Sequence, residues 1–391
     1  MPDYTAPGVY VEDLSSGPRS ITGVPTSIAA FIDCFERGPM NRPVQVFSFT
    51  AFKHQFGGLS ASSEASYAIR QFFVNGGTQA FVVRVPAGSQ GNGPDRQALL
   101  GDEETSTGIY ALNKLDIFNL LCIPALGGQA CDTWDEVYRQ ALECCARRRA
   151  FLLIDTPAGL DNPAGIAGWM EKKQDFLRHA NAALYFPRIE VKDPLDKHLP
   201  RTIGAGGALA GLFARTDSQR GVWKAPAGVD AVLQHVSGLS YRVDDAENGV
   251  LSATGINCLR SLSGVEIVSW GSRTTLGSDA LRSEWKYLSV RRTALYIEES
   301  LYRGLEWAVF EPVSESLWDR IRLSAEAFLH GLFRQGAFQG ASPNQAYFVK
   351  CDSETNTQID IEHGLINLQV GFAPLRPADF IVLAVRLSGT G

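Results

Sequence analysis

Between residues 118 and 186 the hydrophobic period of the chain switches back and forth. Residues 118–123 form an apolar run of strand length, 133–148 place their apolar side chains at helical spacing, 150–154 are apolar again, 164–179 are helical, and 182–186 close the series. A strand without polar alternation has both faces covered, and each intervening helix is long enough to be a crossover. The pattern predicts an α/β layer structure, with helices over a mostly parallel sheet. Residues 206–215 read as one more helix, after an excursion containing Pro and charged residues.

Upstream, residues 28–32 and 44–49 read as strands, 50–56 as a short helix stopped by Gly57 and Gly58, 63–73 as a helix, and 80–85 as a strand. This is a βαβ-like beginning. Residues 86–107, rich in Gly with acidic and polar neighbours, have the composition of a linker and set an expected domain boundary. From 232 to 270 helical periodicity fades into short strand-like pieces, 264–270 among them.

Beyond Gly271 the character changes. Residues 284–309 are one long or two joined helices, Pro312 interrupts them, and Ser314 is placed to cap a second helix. Leu317, Ile321, Ala325, Phe328 and Leu332 line one face of that helix, which ends before Gly336. Strands are expected at 346–350, 364–372 and 380–387, giving an α+β closing domain. The two ends are a pair of a different kind. Residues 8–12 are strand-like but set among Pro and Gly, so they form an arm that lies on something else, while 380–387 are apolar and need a partner strand, their own or a neighbour's.

Composition narrows the function. A chain of 391 residues supports two or three domains, and a net charge of -6 lacks the basic excess that a phosphate backbone demands. Nucleic acid is not the expected ligand. The seven cysteines show no CxxC spacing, and an odd set of this kind reads as buried free thiols in a reducing compartment, with no metal site. The first residues have no basic stretch followed by an apolar one, and no apolar run reaches the roughly 18 residues of a membrane span, so neither export by a leader nor membrane insertion is expected.

Chemistry-bearing constellations are sparse. Asp155 stands at a strand end, where α/β enzymes place active residues, with His179 and His198 in the same region, yet there is no GxSxG elbow and the six histidines do not cluster. The glycines at 204, 206, 207 and 211 lack the order of a dinucleotide or phosphate loop, and close helix packing accounts for them. The acidic pairs Glu103-Glu104 and Asp244-Asp245 read as solvated faces, and residues 147–149 as a basic helix tip. No cofactor is implied. The reading shifts from enzyme to structural protein, with an α/β hydrolase as the remote alternative.

Ordered motifs along nearly the whole chain carry a family likeness. TAPGVYVED, SGPRSITGVPTSIAAFID, RGPMNRPVQVFSFTAFKHQFGG and FFVNGGTQAFVVRV near the start, GGALAGLFARTDSQRGVWKAPAG in the middle, and RRTALYIEESL, PNQAYFVKCD and RPADFIVLAVRL toward the end resemble contractile tail sheath proteins of bacteriophages and related contractile injection systems. The resemblance implies a homopolymer of stacked sixfold rings around an inner tube protein, with baseplate and tail terminator proteins as further partners. Such a sheath contracts without nucleotide to drive the tube into a target. It is assembled in the bacterial cytoplasm and then belongs to a phage tail, tailocin or injection particle; a tail terminator or baseplate component is the alternative within the same machine.

In fold terms the resemblance implies α/β plus α+β: a subtilisin-like α/β middle domain without an active triad, and a terminal α+β domain built from N- and C-terminal segments. The corresponding division is a linking arm at 1–24, terminal-domain segments at 25–88 and 272–379, the subtilisin-like domain at 89–271, and a C-terminal strand and extension at 380–391. Strand exchange between subunits would use Gly8, Val9, Tyr10, Val11 and Glu12 together with Phe380, Val382, Ala384 and Arg386. Arg320, Arg322 and Arg334 are the candidate contacts to the inner tube.

Overall fold

The computed structural model describes residues 19–88, 93–128, 134–262 and 266–377. They fall into a large unit, Val24–Glu299 with residues 374–377, and a small unit, Ser300–Ala373 with residues 19–23.

The strands of the large unit are β1 Ala29–Asp33, β2 Val44–Val46, β3 Ala80–Arg84, β4 Leu120–Cys122, β5 Phe151–Asp155, β6 Ala182–Phe186, β7 Ile189–Lys192, β8 Pro200–Ile203, β9 Gly238–Leu239, β10 Ile256–Leu262 and β11 Glu266–Ser269. Eight of them form one sheet in the order β11-β10-β6-β5-β4-β1-β3-β2. From β10 to β3 the neighbours are parallel, and β11 and β2 close the two edges antiparallel. β7 pairs antiparallel with both β8 and β9 in a second, three-stranded sheet.

Burial follows from the pleat, since successive side chains point to opposite faces. Phe31, Leu120, Phe151, Leu153 and Tyr185 enter one hydrophobic core, and Ile32, Leu121, Leu152, Ile154 and Leu184 enter another. Every residue of β1, β4, β5 and β6 is buried, as unbroken apolar strands require.

The helices of this unit are α1 Phe49–Phe56, α2 Glu64–Val74, α3 Arg96–Leu100, α4 Asp135–Arg147, α5 Pro163–Lys172, α6 Gln174–Leu177, α7 Gly206–Arg220 and α8 Asp245–Ala253. The glycines of α7 do what close packing predicted. A Cβ on Gly207 would run into the carbonyl oxygen of Ala68, and one on Gly211 into that of Phe72, so α7 lies against the backbone of α2. The same helix carries Asp217, which accepts hydrogen bonds from both Arg292 Nη atoms (2.9 and 2.6 Å) and from Thr26 Oγ1 (2.7 Å).

Three expectations are corrected. Residues 25–88 are not set apart from 89–271, and of 272–379 only 300–373 form the separate unit: β1 pairs with β3 on one side and β4 on the other, so 25–88 hold the middle of the large sheet. The boundary expected at 86–107 is therefore a connection within one unit, and it contains α3 with Leu99 fully buried. The stretch 232–270 contains a helix, α8, opened by a capping box in which Asp244 accepts from Glu247 N and Glu247 from Asp244 N. Asp244 is thus a cap, and Asp245 pairs with Arg260 at 2.6 Å. Its short length and polar composition hid it from the periodicity.

α9 Leu288–Gly304 begins in the large unit and ends in the small one, which continues with α10 Glu315–Arg334, α11 Pro343–Ala346, strand β12 Tyr347–Lys350, α12 Gln358–Glu362 and strand β13 Gln369–Phe372. Cys34, Cys122, Cys144, Cys145, Cys258 and Cys351 are buried and unbridged, and Cys131 lies outside the described residues. Among the described residues no helix is long and apolar enough to cross a membrane, and no group of His, Cys, Asp and Glu is arranged to hold a metal ion.

Candidate assembly surface

The small unit is organised by α10. Ser314 caps it as expected, accepting from Leu317 N at 3.3 Å, and Gly336, at φ +78°, lets the chain leave the helix. Leu317, Trp318 and Ile321 pack with Cys351 into a small core, to which Leu305, Trp307, Val313, Ile361 and Leu368 add partly buried surface.

Beside α10 lie only two strands. β12 and β13 pair antiparallel with Tyr347 opposite Phe372 and Lys350 opposite Gln369, and no third strand joins either edge among the described residues. The strand expected over 364–372 is shorter, starting only at Gln369, because residues 363–364 form the turn that leaves α12 and 365–368 lead from it to the strand. Two strands alone are marginal in water, and neither β12 nor β13 has a fully buried residue. Phe348 is 55% exposed in the middle of β12. Phe310, in the turn before α10, is wholly exposed and held at φ +70°, a left-handed conformation that costs a bulky side chain roughly 1–2 kcal/mol.

Residues Gly8, Val9, Tyr10, Val11, Glu12, Phe380, Val382, Ala384 and Arg386 lie outside the described residues. The three arginines of α10 do not share a face. At about 100° per residue, Arg334 falls near Arg320 on the helical wheel and Arg322 on the far side. Arg320 lies 3.8 Å from Glu311 and stacks 4.6 Å from the Trp307 ring centre, and Arg322 is paired with Asp319 at 2.7 Å. Arg334 is exposed, on a stripe with Asp319, Leu323, Ala327 and His330.

The residues that could have formed a catalytic site are bound into the large unit's framework. Asp155 is buried at the end of β5 and accepts from Gly206 N at 2.6 Å, at the start of α7. Asp33, at the end of β1, accepts from Ser63 Oγ and Ala65 N (3.0 Å each) at the start of α2, and from Cys34 N at 2.8 Å. A doubly wound sheet offers ligands the carboxyl ends of its strands and anions the starts of its helices. Here the chain's own carboxylates occupy two of those helix starts.

Burial pushes both groups up to about 6, despite the hydrogen bonds that favour their charged forms. Arg188 braces the same region, donating to Gly127 O, Thr156 O and Glu64 Oε1 at 2.6, 2.8 and 2.6 Å. Neither expected histidine joins Asp155: His179 Nδ1 accepts from Asn181 N, and His198 sits in the turn of the β7–β8 hairpin at φ +62°. Of the basic helix tip, Arg148 donates to the carbonyls of Leu115 and Asp116, and Arg149 pairs with Glu299 at 2.9 Å. Glu103 lies 3.8 Å from Arg147.

Likeness to known proteins agrees with this arrangement. Residues 282–388 match the phage tail sheath C-terminal domain family. A putative prophage major tail sheath protein of Pseudomonas aeruginosa (strain UCBPP-PA14) is 25% identical over 95% of this chain and 94% of its own length. The helical sheath of the anti-feeding prophage (AFP) in its contracted state superposes with a TM-score of 0.77 at 29% identity, covering 98% of this chain and 99% of that one. Over nearly its whole length this chain is similar to contractile tail sheath proteins. Sheath proteins are structural rather than enzymatic, which fits an Asp155 committed to capping a helix. A chain of the AFP baseplate structure matches equally well, with a TM-score of 0.75 at 29% identity over 99% of this chain and 100% of that one.

Sequence reasoning missed Trp307 and Phe310. Their signal was an aromatic pair in the short connection between two helices, which periodicity does not score.

Proposed function

We propose that this chain is a sheath subunit that polymerises as stacked sixfold rings around an inner tube and drives that tube forward by contracting without nucleotide. The observation that carries this reading is the β12–β13 sheet: two strands, two edges free of a strand partner among the described residues, in the part of the chain that matches the sheath C-terminal domain. Residues 8–12 and 380–387 of neighbouring subunits are strand-like segments suited to those edges. Backbone hydrogen bonds would then join the subunits while the connecting segments let the units rotate.

Residues 1–24 serve as the linking arm and 380–391 as the C-terminal extension. The large unit is the subtilisin-like domain without its triad, a reading supported by its parallel sheet and by the structural use of Asp155. It takes in 25–88 as well as 89–271. Contraction moves the lattice to a better-packed state, and even about 1 kcal/mol per subunit accumulates over a long sheath to a large release. On α10 the tube-facing role falls to Arg334, the arginine on the solvent stripe, with Arg320 and Arg322 already paired inside the chain. Assembly is placed in the bacterial cytoplasm, before the sheath joins baseplate, tail terminator and tube.

Deleting residues 1–15 tests the reading. The variant should remain a folded monomer and fail to form long sheaths in negative-stain microscopy; normal polymerisation would sink the strand-exchange scheme. Val9→Pro with Val11→Pro, which removes two backbone donors, should have the same effect. The baseplate match favours a second reading, a ring component that caps the sheath, and discrete rings in place of striated cylinders would select it.

A further inference from the structure

Residues 19–23 belong to the small unit, although the chain runs directly from them into the large one. Two contacts hold them there. The Arg19 guanidinium stacks on the Trp307 ring, 4.8 Å from its centre, and the Arg320 guanidinium stacks on the same ring at 4.6 Å. Two cations on one indole would repel, but Glu311, 3.8 Å from Arg320, offsets part of that charge. Two residues on, Ile21 is buried against Gly304 at the end of α9, so closely that a Cβ on Gly304 would collide with it. Trp307 in turn packs on the small core around Leu317 and Trp318.

We propose that Trp307, stacked by Arg19 and Arg320, is the fixed root from which the N-terminal linking arm departs. This rests on the strand-exchange reading and adds to it the residues that aim the arm. Arg320 therefore works inside its own subunit as a positioning residue, not at the tube.

The physical reason for a root is reach. The 18 residues before Arg19 span at most roughly 60 Å, and where they start decides which neighbouring sheet they meet. A strand must also arrive in register, because a one-residue slip turns every side chain to the wrong face. If the stack and the Ile21 contact were lost, the free chain would lengthen to the start of the buried sheet near Ile28. The effective concentration of the arm at its target would then fall about twofold, by the −3/2 power of length. One joint tolerates that loss; a long series of joints does not.

The sequence supplies a direct probe. Residues 1–18 contain no Lys or Arg, so the first bond that trypsin can cut is the one after Arg19, and cutting requires Arg19 to leave Trp307. In the full-length monomer, Trp307→Ala should raise the rate of that first cut by about tenfold, the loss of one or two cation–π contacts. Arg320→Gln, which leaves the Trp307 packing intact and so guards against misfolding of the first variant, should raise it severalfold; Trp307→Phe should fall between Trp307→Ala and the unaltered chain. Equal cutting rates in the unaltered chain, Trp307→Ala and Arg320→Gln would overturn the root.

Mean sheath length by negative stain is the second readout, with Arg320→Gln sheaths shortened at least about twofold. Faster cutting with unchanged sheath length would overturn the positioning role. Normal sheaths from the 1–15 deletion would instead overturn strand exchange itself, leaving the trypsin result to stand on its own.

Discussion

The large and small units solve the same problem, burying a sheet, to very different degrees. In the large unit the central strands are covered on both faces, and Asp155, the carboxylate read as a candidate for chemistry, serves like Asp33 as an acceptor for a helix start. In the small unit a two-stranded sheet stands with its edges without strand partners among the described residues. The exposed large apolar side chains sharpen the contrast. Tyr302, Val309, Phe310, Leu323, Phe348, Ile359 and Leu365 all fall within Ser300–Ala373, whereas the far longer large unit has as many, namely Met40, Phe47, Leu195, Leu199, Val229, Val250 and Leu281. Exposed apolar side chains are thus denser on the small unit.

That contrast breaks or holds under substitution. The largest effect is expected at the buried pair of the large unit, where Arg292 and Asp217 are 3% and 4% exposed. Arg292→Met leaves Asp217 charged and buried and should lower unfolding free energy by about 3–5 kcal/mol in urea titrations. Replacement of Gly207 by Val should follow, at about 2–3 kcal/mol, because the new side chain has only the α2 backbone to push against.

Acidity separates the units next. Asp33 and Asp155 have folded-state values near 6, above the ordinary carboxyl value near 4, so the folded chain binds extra protons between those limits. Their opposition to folding is complete above pH 6 and fades as pH falls toward 4, so these two groups alone make the large unit more stable on mild acidification. The change is on the order of 2–3 kcal/mol per carboxyl, and Asp33→Asn or Asp155→Asn should each flatten the dependence of the melting temperature on pH over that window. A small-unit transition that follows the same pH profile would erase the distinction drawn here.

The smallest effect belongs to the small unit. Phe310→Gly relieves a left-handed backbone and should stabilise the isolated chain by about 1 kcal/mol, read as a small rise in melting temperature. A loss of stability would mean that Phe310 is held by contacts within its own chain and that the small unit is less open than it looks.

Much of the fold was legible because local periodicity and burial agree wherever a strand is covered on both faces. The runs at β1, β4, β5 and β6, the Ser314 cap and the close-packed glycines of α7 could all be read that way. What failed was partition. Residues 25–88 looked like a separate βαβ beginning because periodicity reports that a strand is buried, not which strands flank it, and only the pairing of β1 with both β3 and β4 places it mid-sheet.

The candidate surface was legible in its outline only. The sequence by itself determined the layered, mostly parallel region and the capped helix α10 with its apolar face, since those follow from local pattern and residue type. Tertiary structure alone decided that Asp155 and Asp33 hold helix starts, that Arg320 faces Trp307, and that Arg19 meets the same ring from nearly three hundred residues away. Such contacts join residues with no local relation, and no pattern along the chain records which distant groups folding will bring together.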